Sequence, residues 1–157
     1  MKIKRPIWTP AARRLLAGLL AGALFIQAGC SSPPNSDMEE TVQINSTPAN
    51  AKVSIDGVDA GVTPMPAVLG KARETHLIIS KGGFVPTDIY VHAQGSHLVP
   101  NPVDVPLRCE LLPAQPGPNR AADLATSLDN LKKYVAIGTI APEDEAYAEA
   151  QIRAFYK

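Results

Sequence analysis

The sequence predicts a mainly β chain: a small antiparallel β-sandwich followed by an α-helical hairpin and preceded by a cleaved export segment. Three observations carry this reading. Residues 41–112 alternate apolar and polar side chains in short runs bounded by Gly, Pro or Asn. Beyond residue 118 the spacing becomes helical, with Leu124, Leu128, Leu131 and Val135 on one stripe. Residues 1–29 join a basic start to one apolar run and end in small residues before Cys30.

In the first segment Lys2, Lys4, Arg5, Arg13 and Arg14 surround or precede the apolar residues 15–26, and Gln27-Ala28-Gly29 leads into Cys30. A run of about a dozen apolar residues is well short of the roughly 20 needed to span hydrocarbon, so it reads as a signal peptide rather than a membrane helix. The pattern resembles the lipobox of bacterial lipoproteins, with Gln27 where Leu is usual. The resemblance implies that Cys30 becomes the first mature residue and carries lipid; an ordinary secretory cut near Ala28, leaving Cys30 a plain thiol, is the alternative. Ser31 after the lipidated cysteine implies sorting to the outer membrane, with the domain facing the periplasm.

Loss of residues 1–29 leaves 128 residues with 10 Lys and Arg against 15 Asp and Glu, a net charge of −5. The basic residues are scattered, which excludes nucleic acid as a partner because phosphate neutralisation needs clustered cations. With Cys30 lipidated, Cys109 has no intramolecular partner and no disulfide framework exists. Cys109 lies on the apolar side of the alternation Val103, Val105, Leu107, Cys109, Leu111, so it fills core volume.

Residues 30–40 are polar and Pro-containing, which is tether composition. Four or five short strands follow. Val42 and Ile44 mark the first; Ala51, Val53 and Ile55 the second; residues 76–79 and 89–91 two more; and 103–111 the last. Asp56-Gly57 is a two-residue hairpin turn, since a primed turn needs positive φ. Residues 62–70 and 93–106 read as longer loops free to bind something. The Pro-rich stretch 113–118 ends the β region at residue 112 and acts as a linker. In the hairpin of residues 119–157, Asn119 caps the first helix and Gly138 ends it. Pro142, Glu143, Asp144 and Glu145 open the second, whose expected apolar stripe is Tyr147, Ala150, Ala154 and Phe155.

Four short motifs occur in order: Ser46-Thr47-Pro48-Ala49-Asn50-Ala51, Val53-Ser54-Ile55-Asp56-Gly57, Gly61-Val62-Thr63-Pro64, and Lys81-Gly82-Gly83-Phe84. The series resembles a PEGA domain over about residues 42–92, its motif positions being Pro48, Ala51, Asp56, Gly57, Gly61, Thr63, Pro64, Gly83 and Phe84. The namesake tetrapeptide reads Pro48-Ala49-Asn50-Ala51, and Phe84 stands where Tyr is commoner. The resemblance implies a PEGA-like antiparallel β-sandwich, used as a binding or spacer module on envelope proteins and without a catalytic centre. The C-terminal hairpin resembles the short helical domains that end many bacterial proteins, through Leu128-x-x-Leu131, Gly138-Thr139-Ile140 and an acidic turn. It departs from them at Ala141 and Pro142, where a capping hydroxyl and an acid are expected.

No nucleophile elbow, zinc-binding His pair or phosphate-binding Gly loop is present. His76, His92 and His97 read as solvent-facing strand or loop residues, and Asp56 and Asp59 as turn residues. No catalytic residue, metal or cofactor is assigned. The expected function is therefore a lipid-anchored envelope module, structural or protein-binding, tied to the membrane by its N-terminal lipid. Two helices of this size cannot stand alone, so Leu124, Leu128, Leu131, Tyr147 and Phe155 must dock on the β domain or on an envelope protein partner. The alternative function is binding of peptidoglycan or another polysaccharide, for which Tyr90, Tyr134, Tyr147, Tyr156, Phe84 and Phe155 are the available rings.

Overall fold

A computed structural model describes residues 38–157. The signal peptide, Cys30 and the tether up to residue 37 lie outside the described residues. The described chain runs β1 (Glu39–Thr47), β2 (Lys52–Ile55), β3 (Val58–Val62), β4 (Met65–Gly70), β5 (Thr75–Ser80), β6 (Phe84–Val85), β7 (Thr87–Gln94), β8 (His97–Val99), β9 (Val103–Pro106) and β10 (Arg108–Cys109). Helices α1 (Arg120–Ala136) and α2 (Glu145–Phe155) follow, with a 3-10 turn at Pro142–Asp144 between them. The architecture is mainly β with a C-terminal helical pair.

One sheet has the order β4-β1-β9 and the other β3-β2-β5-β7-β8, while β6 and β10 form a separate two-stranded ribbon. All pairings are antiparallel except β1 with β9, which is parallel from Ile44↔Val103 to Thr47↔Pro106. The two sheets bury alternate residues against each other, as a sandwich requires. Val42 and Ile44 from β1, Ala67 and Leu69 from β4, and Val103 and Val105 from β9 meet Val53, Leu77, Ile79, Val91 and Leu98 from the other sheet.

Glu40 has the inward parity of Val42 and Ile44 and closes one end of the sandwich. Its carboxylate accepts the Leu98 N–H at 2.9 Å and the Asn101 amide at 3.0 Å, and Lys71 lies 3.4 Å away. These donors hold its carboxyl below the usual carboxylate range. β1 therefore starts two residues inside the segment that composition assigns to the tether.

The strand count exceeds the four or five expected from alternation. Residues 62–70 are largely β4, with Ala67 and Leu69 buried, and residues 93–106 contain β8 and all of β9. Pro66, Val68 and Gly70 occupy the exposed positions of β4, an edge strand, where Pro and Gly are tolerated.

In the hairpin the Asn119 side chain accepts the Ala122 N–H at 3.2 Å, and Gly138 ends α1 with φ of 78°. No side chain caps α2. Its buried face is Asp144, Ala148, Ile152 and Tyr156, one turn apart each, whereas Ala150 and Ala154 are exposed. The expected stripe holds at Tyr147 and Phe155, which pack half-buried on the core, and fails at Ala150 and Ala154, because the face turned to the core is centred on Ala148 and the fully buried Ile152. The hairpin shares one apolar core with the sandwich, and Leu131, Ile140, Ala148 and Ile152 belong to it.

Candidate functional site

Residues of the first, third and fourth motifs lock together at one end of β2, and the Asp56-Gly57 turn lies at its other end. Asp56 (φ 50°) and Gly57 (φ 82°) form the tight β2–β3 turn with both residues in the left-handed region. The Asp56 carboxylate also accepts the His76 N–H at 3.0 Å and an Arg73 N–H at 2.7 Å, which holds its carboxyl below the ordinary range. Thr63 is buried and locks the Gly61–Pro64 motif to the Ser46–Ala51 motif. Its hydroxyl oxygen accepts the Ala51 N–H at 3.0 Å and lies 2.5 Å from Ser46 Oγ, while Thr63 N–H donates to Ala51 O at 2.9 Å. Pro48 is buried behind this lock, and the Ser46 hydroxyl also donates to Pro48 O at 2.5 Å. Replacing Thr63 with Val keeps the volume but strands a buried N–H. Thr63→Val is expected to cost about 1–3 kcal/mol of stability, measured by urea unfolding.

The last motif joins the sandwich to the helices. Lys81 Nζ donates to Ala49 O and lies 2.7 Å from Asp144 Oδ2, an ion pair rather than an aligned hydrogen bond, with both side chains nearly covered. Gly83 has φ of 79°, and a Cβ there would fall 2.1 Å from Ile140 Cγ1, so the turn is the seat on which the hairpin rests. Phe84 packs near Tyr147, their ring centroids 6.1 Å apart. Gln151 completes the joint. Its side-chain oxygen accepts the Cys109 N–H at 2.8 Å and its amide donates to Leu107 O at 2.7 Å, so it pairs with the strand as a neighbouring peptide would.

The five helix residues offered as partner contacts have another role here. Leu131 is 2% exposed, and Leu124, Leu128, Tyr147 and Phe155 pack half-buried against the common core. α1 packs on α2, and α2 on β10, so this stripe is largely covered within the chain. Sequence reasoning missed Lys81, Asp144 and Gln151 as the polar joint. Their only trace in the sequence is a Lys beside two glycines and a lone Gln in the buried stretch of α2.

The groups with chemical potential are accounted for by structure. Cys109 is fully buried, and burial pushes its thiol up, away from thiolate reactivity. His76 lies 2.8 Å from Asp88, and His97 lies 3.7 Å from Glu40. Asp59 pairs with Lys52 at 2.8 Å. Among the described residues no cluster of three or more His, Cys, Asp and Glu is placed to hold a metal, and no helix is long and apolar enough to cross a membrane.

Residues 39–96 match the PEGA domain family. The match ends before β8 and β9, which complete the two sheets, before β10 and before the helices. No curated protein and no solved structure matches the chain.

Proposed function

We propose that this chain, built on a PEGA domain, is a non-catalytic module of the bacterial cell envelope, tethered by a lipid on Cys30 to the outer membrane and facing the periplasm. It works as a structural or protein-interaction unit. The observation that carries the reading is the export segment ending at Cys30, followed almost at once by a folded domain of an envelope-type family. The employment of the polar motif residues in turns and joints supports a binding or spacer role. Asp56, Thr63, Lys81 and Gln151 all hold backbone groups or other elements in place.

The Met38 carbonyl accepts the Lys71 N–H at 2.8 Å, which ties the chain before β1 to the sandwich. Only residues 31–38 separate Cys30 from β1, so the length of the chain alone keeps the anchored domain near the membrane. More than one acyl chain on Cys30 makes such anchoring stable, at about 0.8 kcal/mol per buried methylene.

Replacing Cys30 with Ser tests the reading. The protein is expected to move from the membrane fraction to the soluble fraction of lysed cells. Membrane retention of Cys30→Ser equal to that of the parent chain would contradict the lipid anchor.

A further inference from the structure

We propose that the outer face of the five-stranded sheet binds an uncharged polysaccharide strand, with Tyr90 as the stacking residue. The face is assembled by register. Lys52 stands opposite both Val62 and Ser80; Ser54 stands opposite Asp59 and Ile78; Ile78 stands opposite Asp88, and His76 opposite Tyr90. These residues share the parity that points away from the core, whose side is held by Val53, Leu77, Ile79 and Val91.

At one end lies a flat aromatic surface. The Tyr90 ring is stacked on His76 with centroids 4.6 Å apart and planes 12° from parallel, and His76 is fixed from the side by Asp88 at 2.8 Å. Tyr90 is nonetheless 53% exposed. On its other flank β8 stops at Val99, which pairs with His92, so no strand residue stands opposite Tyr90 there. The ring is thus held in place on one face by His76 while about half of the residue stays accessible. A ring face carries negative quadrupole density, which suits the weakly positive C–H face of a pyranose.

At the other end is an open groove of about 590 Å³ whose walls include Lys52, Asp59, Val62, Ser80 and Gly82. From Ser80 to His76 along β5 is about 13 Å at strand rise, long enough for several sugar rings laid end to end. Charge decides the ligand class. Lys52 is paired with Asp59, and the Asp88 carboxylate is engaged by the His76 ring, so the face offers donors and acceptors with no cluster of like charges. Such a surface favours hydroxyl and amide groups over a phosphate or a polycation. The outer face of the other sheet differs in the feature that matters: Thr41, Gln43, Asn45, Pro66, Val68 and Asp104 include no aromatic ring.

The inference is independent of the lipid anchor and can be tested on the full chain in detergent. The probe is the β-1,4-linked tetramer of N-acetylglucosamine, titrated by calorimetry and by NMR of the tyrosine and histidine ring protons. Saturable binding is expected, with the Tyr90 and His76 ring signals shifting. Tyr90→Ala should weaken it at least tenfold and Ser80→Ala by a smaller factor, with Gln43→Ala on the opposite face leaving it unchanged. Binding should also be nearly insensitive to salt. No saturable binding, equal binding by Tyr90→Ala, or an affinity that collapses with added salt would overturn the proposal, the last by assigning the face to a charged ligand.

Discussion

A chain ending at Pro118 is expected to melt at least about 12 °C below the full chain, or not to fold. The hairpin borders Phe84, Leu107 and Cys109, each at most 2% exposed in the full chain. Exposing one large apolar side chain of this kind costs about 1.5–3 kcal/mol. Loss of the two Gln151 hydrogen bonds takes away about 1 kcal/mol each. Lys81 loses Asp144 as well, although its ammonium then regains water. A deficit of about 3 kcal/mol or more is a large part of a total of about 5–15 kcal/mol, and for a domain of this size each kcal/mol moves Tm by roughly 4–8 °C. Thermal unfolding followed by circular dichroism makes the comparison. An unchanged Tm would mean that the hairpin adds nothing to the sandwich and that its apolar stripe is free for a partner.

Gly83→Ala is expected to destabilise the full chain by about 2–5 kcal/mol, from two separate causes. The left-handed φ of 79° costs a residue with a Cβ about 1–2 kcal/mol. The new methyl would also collide with Ile140, which is fully buried and has no room to retreat, and such overpacking adds about 1–3 kcal/mol. Gly57→Ala is the useful comparison. Gly57 has the same sign of φ but no atom within 4 Å of the added Cβ, so only the backbone cost applies. Chemical denaturation should therefore separate the two variants by about the packing cost. Equal losses would show that the hairpin does not press on Gly83.

The turns were legible in the sequence because the residues that build them act locally. Asp56-Gly57 gives a positive-φ turn wherever it stands between alternating runs, and Asn119 and Gly138 mark the ends of α1 for similar reasons. The missed strands fail for a physical cause: on the exposed side of β4 nothing must be buried, so Pro66 and Gly70 are tolerated and mimic loop composition. The parallel pairing of β1 with β9 joins residues some 60 positions apart, and no local pattern specifies it. The joint at Lys81, Asp144 and Gln151 is equally non-local. Each of these polar side chains looks like surface until its partner is brought beside it. In α2 the stripe was legible at Tyr147 and Phe155, but the alanines at 148, 150 and 154 look alike in sequence, and only packing buries Ala148 and exposes the other two.

The Tyr90 platform could be read only in part. The sequence marks Tyr90 as the one tyrosine outside the helical region. Its stacking on His76, and the end of β8 that leaves its flank open, depend on strand register.

The most direct measurement of the central claim is the mass of the N-terminal peptide of the protein purified from membranes. The account predicts a chain that begins at Cys30, lacks residues 1–29, and carries the added mass of a thioether-linked diacylglyceryl group. A peptide of unmodified mass, or one that retains residues before Cys30, would contradict it.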